Sequence, residues 1–416
     1  MSALLDLLFR PLIKFGSLNV IDWRGRSHPY GDGTGSPITI KIHNRRTAFR
    51  LVFNPQLATG EAYMDGHFTI EQGDLAGLIA LAFKNIGART MSYPLSGITE
   101  TLFKLKRRFD QFNPAARSQQ NVAHHYDLSD TLYDLFLDDD RQYSCAYVMH
   151  ADDTLEEAQA QKKRHLAAKL LLGPDQTILD IGSGWGGLGL YLAKISGADV
   201  TGLTLSKEQH RVSNLRSAEA GMAERVRFKF IDYRNETGHY DRIVSVGMFE
   251  HVGVNHFDAY FKKVAELLKE DGVALIHAIG RSDGPGATNP WVAKYIFPGG
   301  YCPALSEVLP SIERAGLHVL DIEILRLHYA ETLRMWRERF EQHRARIREL
   351  YDERFCRMWE FYLVTSEMAF RYQGQMVFQI QLGKRVDAAP ITRDYITAFE
   401  SANPPAAIVA PVKTKI

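Results

Sequence analysis

From residue 177 onward, short apolar runs at 177–181, 199–204, 226–231, 241–246, 273–279 and 317–325 have the length and β-branched content of buried strands. Apolar residues at helical spacing mark Ala158–Leu171 and Phe257–Leu268 as helices. Strands alternating with helices predict an α/β domain, a parallel sheet covered on both faces. Residues 17–70 read differently, as strands joined by turns. Gly31–Pro37 is a turn, Ile38–His43 and Phe49–Phe53 are strand-like, and a helix follows over Leu75–Phe83. The pattern predicts a smaller N-terminal α+β domain over 1–110 and a polar linker at 111–120. A large domain follows over 121–395, then a loose tail over 396–416. Two insertions depart from a minimal α/β fold. One of about 30 residues follows the fifth strand and carries Pro290–Gly300; the other is a helical block from Glu331 to Arg371, ahead of an apolar strand at Met376–Leu382. Ligands of open α/β sheets bind beyond the carboxyl ends of the strands, where both insertions begin, so they are placed to roof a pocket. Their aromatics (Trp291, Tyr295, Phe297, Trp336, Trp359, Phe361 and Tyr362) would suit an apolar substrate, but insertions of this size also need cores, and the core role is favoured for most of them.

Composition narrows the class. The 416 residues suffice for two cores, and a net charge of +1 argues against a general nucleic-acid binder. Cys145, Cys302 and Cys356 lie far apart with no CxxC, which fits a reducing compartment and gives no structural zinc site. The apolar stretch Leu4–Phe15 is interrupted by Asp6, Arg10, Pro11 and Lys14 and is too short to span a bilayer. It suits a helix packed on its own domain better than an interfacial one. Two basic runs, Lys104–Arg108 and Arg334–Arg348, could meet anionic headgroups. The second is interleaved with Glu338 and Glu341 and reads as a solvated helix face.

The first strand of the large domain runs directly into glycines at 182, 184, 186 and 187, and a helix pattern follows. Glycines at such a turn let a ligand approach backbone N–H groups at the positive end of a helix. A dinucleotide fold more often shows Gly-x-Gly-x-x-Gly and an acid at the end of the second strand. Here Asp180 precedes the first glycine and the second strand ends in Thr204. The arrangement resembles a class I S-adenosylmethionine-dependent methyltransferase (Rossmann-like) domain rather than a dehydrogenase.

Polar residues also collect where strands end: Glu250 after the fourth, His277 late in the fifth, Tyr329 after the sixth, and Cys145 upstream of the sheet. Singly, each is more often a satisfied core or rim residue than a catalyst; their convergence on one sheet edge changes the reading. The segments His124–Asp127, Gln142–Cys145, Gly202–Ser206 with Gln209, Phe249–Gly253 and His328–Leu333 occur in order around the glycine motif, with Gly60–Gly66 upstream. Together they resemble the cyclopropane-fatty-acyl-phospholipid synthase family, in its long bacterial form, over nearly the whole chain.

That resemblance implies roles by position. Tyr143, Ser144, Gly182, Gly184, Thr204, Leu205 and Gln209 would touch S-adenosylmethionine, with Asp232 and Tyr233 by the adenine. Cys145, Glu250, His277, the backbone of Ile279 and Tyr329 would cradle a bicarbonate ion acting as base. Many relatives carry a cysteine in the late helical block where this chain has Ser366, so covalent cysteine catalysis there is not expected. The implied reaction adds the methyl carbon of S-adenosylmethionine to a cis double bond of a phospholipid acyl chain. The resulting cation has no heteroatom beside it, so the site must exclude water and hold a base near the new methyl group. Glu250 would take a proton from bicarbonate or orient His277. A lipid C-methyltransferase, losing a different proton, is the close rival; a small-molecule N-methyltransferase would need no bicarbonate site. The implied partners are unsaturated phospholipids at a membrane surface and a second copy of the chain, in the cytoplasm at the inner membrane.

Overall fold

A computed structural model describes residues 2–87 and 129–404, which form two compact units. The Lys104–Arg108 run, the linker, the His124–Asp127 motif and residues 405–416 lie outside the described residues.

The first unit comprises residues 2–87, 288–298 and 333–375. Its four-stranded sheet has the order β2-β1-β3-β4, from β1 (Leu18–Ile21), β2 (Ser27–Tyr30), β3 (Ile38–Ile42) and β4 (Phe68–Gln72). Helix α1 (Ser2–Leu12) buries Leu5, Leu8 and Phe9 against Val20, Ile40 and Ile42 of this sheet, so the apolar N-terminus packs on its own domain. The strand expected at Phe49–Phe53 is instead the second half of a helix. Asn44 accepts a hydrogen bond from the Thr47 N–H at 2.8 Å and starts α2 (Arg45–Phe53), whose buried positions Thr47, Ala48 and Leu51 follow helical spacing. The apparent alternation of Phe49, Leu51 and Phe53 misled because two of the three face solvent. Helices α3 (Pro55–Met64) and α4 (Leu75–Ile86) complete the amino-terminal part.

Residues 288–298 of the first insertion and 333–371 of the second group with this unit. The reason is their aromatic side chains. Trp291 is fully buried: its ring meets Phe361 edge-on, and its Nε1–H points at the Met64 sulfur 3.2 Å away. A Cβ on Gly60 would lie 2.4 Å from that indole, so α3 needs glycine there. Trp336, Trp359, Phe361 and Tyr362 are buried as well, in the core role favoured for them.

The second unit comprises residues 129–287, 299–332 and 376–404. Its seven-stranded sheet has the order β10-β11-β9-β8-β5-β6-β7. The strands are β5 (Thr177–Ile181), β6 (Asp199–Thr204), β7 (Val226–Phe230), β8 (Tyr240–Val246), β9 (Leu268–Arg281), β10 (His318–Leu325) and β11 (Gln375–Gly383). Strands β5 to β9 pair in parallel, while β11 inserts beside β9 and runs antiparallel to β10, a feature the strand pattern alone did not specify.

Period-two alternation sends neighbouring residues to opposite faces. Leu179, Ile243 and Ala274 join Phe257, Phe261 and Val264 of α9 (Phe257–Leu267), whereas Ile178, Val244 and Leu275 join Leu166 of α6 (Leu155–Lys169) and Leu188 of α7 (Gly187–Ser196). The sheet is covered on both sides as expected. The remaining helices among the described residues, of both units, are α5 (Asp130–Phe136), α8 (Lys207–Glu219), α10 (Pro290–Tyr295), α11 (Leu305–Arg314), α12 (His328–Gln342), α13 (Arg344–Leu350), α14 (Glu353–Tyr372) and α15 (Asp394–Ala402). Helix α15 occupies part of the expected tail: Ile396 is buried and Glu400 accepts from His165 at 2.7 Å, which gives the segment something to pack on.

Candidate active site

The glycine turn after β5 is held in one shape by its backbone. Gly182 sits at φ +87°, and a Cβ there would come within 2.7 Å of the Met248 side chain. The N–H groups of Gly182 and Ser183 both donate to the Leu203 carbonyl, at 3.0 and 2.9 Å, closing the turn onto β6. Beyond β6 the Thr204 hydroxyl donates to Gln209 Oε1 at 2.9 Å, while Ser206 caps α8. Beyond β7 the Asp232 carboxylate caps a short turn and accepts from Arg234 Nε at 2.8 Å. One cavity connects these loops. All nine residues expected at the cofactor line it: Tyr143, Ser144, Gly182, Gly184, Thr204, Leu205, Gln209, Asp232 and Tyr233.

Asp180 lines the same cavity. Burial pushes its carboxyl up to about 7, and its Oδ2 is buried with no hydrogen-bond partner among the described residues. A buried orphan acceptor of this kind suits a ligand that brings a cationic donor. S-adenosylmethionine carries an ammonium group and a sulfonium, so the donor set fits it.

None of the five residues expected around the base lines this cavity; they fall in two groups. In the first, Glu250 Oε1 accepts the Ile279 N–H at 2.6 Å, so that backbone donor is already engaged. Glu250 Oε2 is buried without a partner among the described residues, and burial raises the carboxyl to about 7. His277 lies opposite Val246 in the β8–β9 pair, and its carbonyl accepts the Gly247 N–H at 2.9 Å. Burial holds the His277 imidazole well below its ordinary range, so it is neutral. Gln379 Nε2 can only donate, so the 3.1 Å contact makes His277 Nδ1 the acceptor and leaves the ring proton on Nε2.

In the second group, Cys145 and Tyr329 are both buried. The Ala146 N–H donates to the Thr332 hydroxyl at 3.0 Å and the Val148 N–H to His328 Nδ1 at 3.0 Å, pinning the segment after Cys145 to the first turn of α12. The segments that carry the two groups approach each other at the cavity wall, where a Cβ on Gly247 would touch Ser144 at 4.0 Å. Burial raises the Cys145 thiol far above its ordinary range, so it stays protonated and is no nucleophile.

Sequence reasoning missed the support beneath these residues. Lys162 of α6 is wholly buried and donates to Ser144 Oγ at 3.0 Å and to Gln142 Oε1. Gln159 Nε2, one turn earlier, donates to the Ser144 carbonyl at 3.0 Å. Asp140 is paired with Lys163 and Arg216, and Asp138 Oδ1 accepts the Gln142 N–H at 2.8 Å. Burial, with Lys163 alongside, lowers the Lys162 ammonium to about 8. The available signal was the run Gln159–His165, too polar for a helix covering a sheet unless its charges meet buried carboxylates.

Comparison with known proteins identifies the family. Residues 114–380 match the family model described as mycolic acid cyclopropane synthetase. The chain belongs to that family. Residues 8–91 match a separate domain of unknown function. The chain is 34% identical over 354 residues to the cyclopropane-fatty-acyl-phospholipid synthase of Escherichia coli K12, covering 85% of this chain and 89% of that one. It is 35% identical over 352 residues to a probable fatty acid methyltransferase of Pseudomonas putida, covering 81% and 85%. Among solved structures, the mycolic acid cyclopropane synthase CmaA1 complexed with SAH and CTAB superposes with a TM-score of 0.61 at 33% identity, over 66% of this chain and 99% of that one. The class I methyltransferase fold and the assignment as an S-adenosylmethionine-dependent methyltransferase of the cyclopropane synthase family follow.

Proposed function

We propose that this cyclopropane synthetase family member transfers the methyl carbon of S-adenosylmethionine to a cis double bond of an unsaturated phospholipid acyl chain and closes a cyclopropane ring. The observation that carries the reading is the buried, half-satisfied Glu250 carboxyl, two residues past the cavity wall at Met248 and held by the Ile279 N–H, two residues along β9 from neutral His277. An amine methyltransferase has no need of such an array, because its substrate already holds a nucleophilic lone pair.

In the proposed reaction the alkene π pair forms a bond to the methyl carbon as the carbon–sulfur bond breaks. S-adenosylhomocysteine leaves and the positive charge falls on the second alkene carbon. Loss of a proton from the new methyl group supplies the electron pair that closes the ring. Bicarbonate, when bound, would supply a base small enough to reach that proton. The His277 Nε2–H and the Tyr329 hydroxyl would hold it, Cys145 would serve as a neutral wall, and Glu250 Oε2 would take the proton onward. The Ile279 N–H, engaged by Glu250, would fix the carboxyl rather than touch the ion. The nine cavity residues would hold the cofactor, with Asp180 facing its charged donors.

A lipid C-methyltransferase is the second reading, favoured by the similarity to the Pseudomonas putida protein. We further propose that the enzyme works as a dimer, in the cytoplasm, at the inner-membrane surface. The test is purified protein with S-adenosylmethionine and vesicles of cis-monounsaturated phospholipid, with lipids read by mass spectrometry, with and without bicarbonate. One added CH2 per chain, falling when bicarbonate is stripped, supports the reading; transfer that ignores bicarbonate contradicts the proposed base.

A further inference from the structure

Helix α2 carries an unusual outer face. Phe49 and Phe53 are exposed by 39% and 70%, and their rings stack 6.1 Å apart. The Arg45 guanidinium lies 5.3 Å from the Phe49 ring centroid, and Arg46 is exposed beside it. Positions 45, 49 and 53 form one ridge and 46 and 50 the next, so arginines and phenylalanines share a face. Arg50 is neutralised by Glu61. Arg45 and Arg46 have no carboxylate partner among the described residues, and no Asp or Glu occurs anywhere from Gly33 to Gly60.

We infer that this face of α2 docks on an anionic lipid bilayer, arginines at the headgroups and the Phe49–Phe53 pair in the acyl boundary. The inference rests on the proposed lipid substrate and names the surface that reaches it. Charge complementarity argues for lipid: two uncompensated cations flank exposed rings, where a protein partner would have to bring both acids and an aromatic pocket. The other basic run on an exposed helix face differs, because Arg334 pairs with Glu338, Arg344 with Glu341 and Glu360, and Arg346 with Glu349. An aromatic pair this exposed is costly to keep in water unless something covers it.

The experiment is co-sedimentation of the full chain, without S-adenosylmethionine, with vesicles of unsaturated phosphatidylglycerol or phosphatidylcholine. Arg45→Gln with Arg46→Gln should weaken binding to the anionic vesicles about thirtyfold, at about 1 kcal/mol per cation, and should change little on phosphatidylcholine. Phe49→Ser with Phe53→Ser should weaken binding about tenfold or more on both. Thermal melting and S-adenosylmethionine affinity, unchanged in both variants, exclude misfolding. Wild-type affinity retained in either variant overturns the inference, as does a wild type that binds neither vesicle. A variant that loses self-association and keeps vesicle binding overturns it too, assigning the face to a second copy of the chain. Vesicle binding by a wild type that transfers no methyl group leaves the docking face standing and sinks the proposed function instead.

Discussion

Glu250 Oε1 receives the Ile279 N–H at 2.6 Å while its other oxygen is buried without a partner among the described residues. A carboxyl held by one oxygen and raised to about 7 by burial is poised to exchange a proton near neutral pH. Glu250→Gln keeps the Ile279 bond and removes the titration. Methyl transfer should fall at least about a hundredfold, with S-adenosylmethionine affinity unchanged, as measured by single-turnover rates and calorimetry.

The same group sets a stability trend. Its folded pKa of about 7 lies above the ordinary carboxyl value of 4.5, so between these values the folded protein holds a proton that the unfolded chain has released. Its stabilising contribution is therefore fully present below the lower value and lost as pH rises through the upper one. Melting curves should show Glu250→Gln gaining on the wild type as pH goes from about 5 to about 8. A gain independent of pH would mean that Glu250 is not buried and ionisable as described.

The two cofactor-loop glycines differ in a testable way. At Gly182 a side chain would strain a backbone at φ +87° and press on Met248 at 2.7 Å; at Gly184, φ +53°, nothing lies within 4 Å of the added atom. Gly182→Ala should cost at least about tenfold in S-adenosylmethionine affinity, and Gly184→Ala only the left-handed backbone strain of about 1 kcal/mol, roughly fivefold. Equilibrium dialysis with labelled cofactor would rank them.

Cys145 is a neutral wall residue with its thiol held protonated by burial. Cys145→Ala should retain activity within about tenfold, and iodoacetamide should modify the wild type slowly even in mild alkali. Rapid inactivation traced to Cys145 by peptide mass spectrometry would restore a nucleophilic role.

Lys162 clamps the Gln142–Ser144 turn from beneath. Lys162→Met should weaken S-adenosylmethionine binding and lower stability by about 3 kcal/mol, since it leaves buried acceptors unmatched. Calorimetric titration and denaturant melts would read both effects.

The parallel strands of the second unit were legible because buried parallel strands are continuous apolar runs and the glycine turn is local in sequence. The nine cavity residues came from the family resemblance, most of them within the short motifs that carry it, with Asp232 and Tyr233 placed by position after the third strand. Helix α2 was not: Phe49, Leu51 and Phe53 imitate a strand, and only the Asn44 cap and the burial of Thr47 and Ala48 show the helical period. Lys162 and Gln159 were hidden because their partners lie 15 to 20 residues away, on the loop that α6 supports. The antiparallel pairing of β11 with β10 and the grouping of the insertion segments with the first unit depend on contacts distant in sequence, such as His318 with Gly383 and Trp291 with Met64.

The central claim, ring closure on a phospholipid acyl chain, is tested most directly by proton NMR of the lipid recovered after reaction with S-adenosylmethionine. The account predicts high-field cyclopropane protons appearing as the olefinic signal disappears. An added carbon with the alkene retained, or reduced to a methyl branch, would contradict it and establish the C-methyltransferase instead.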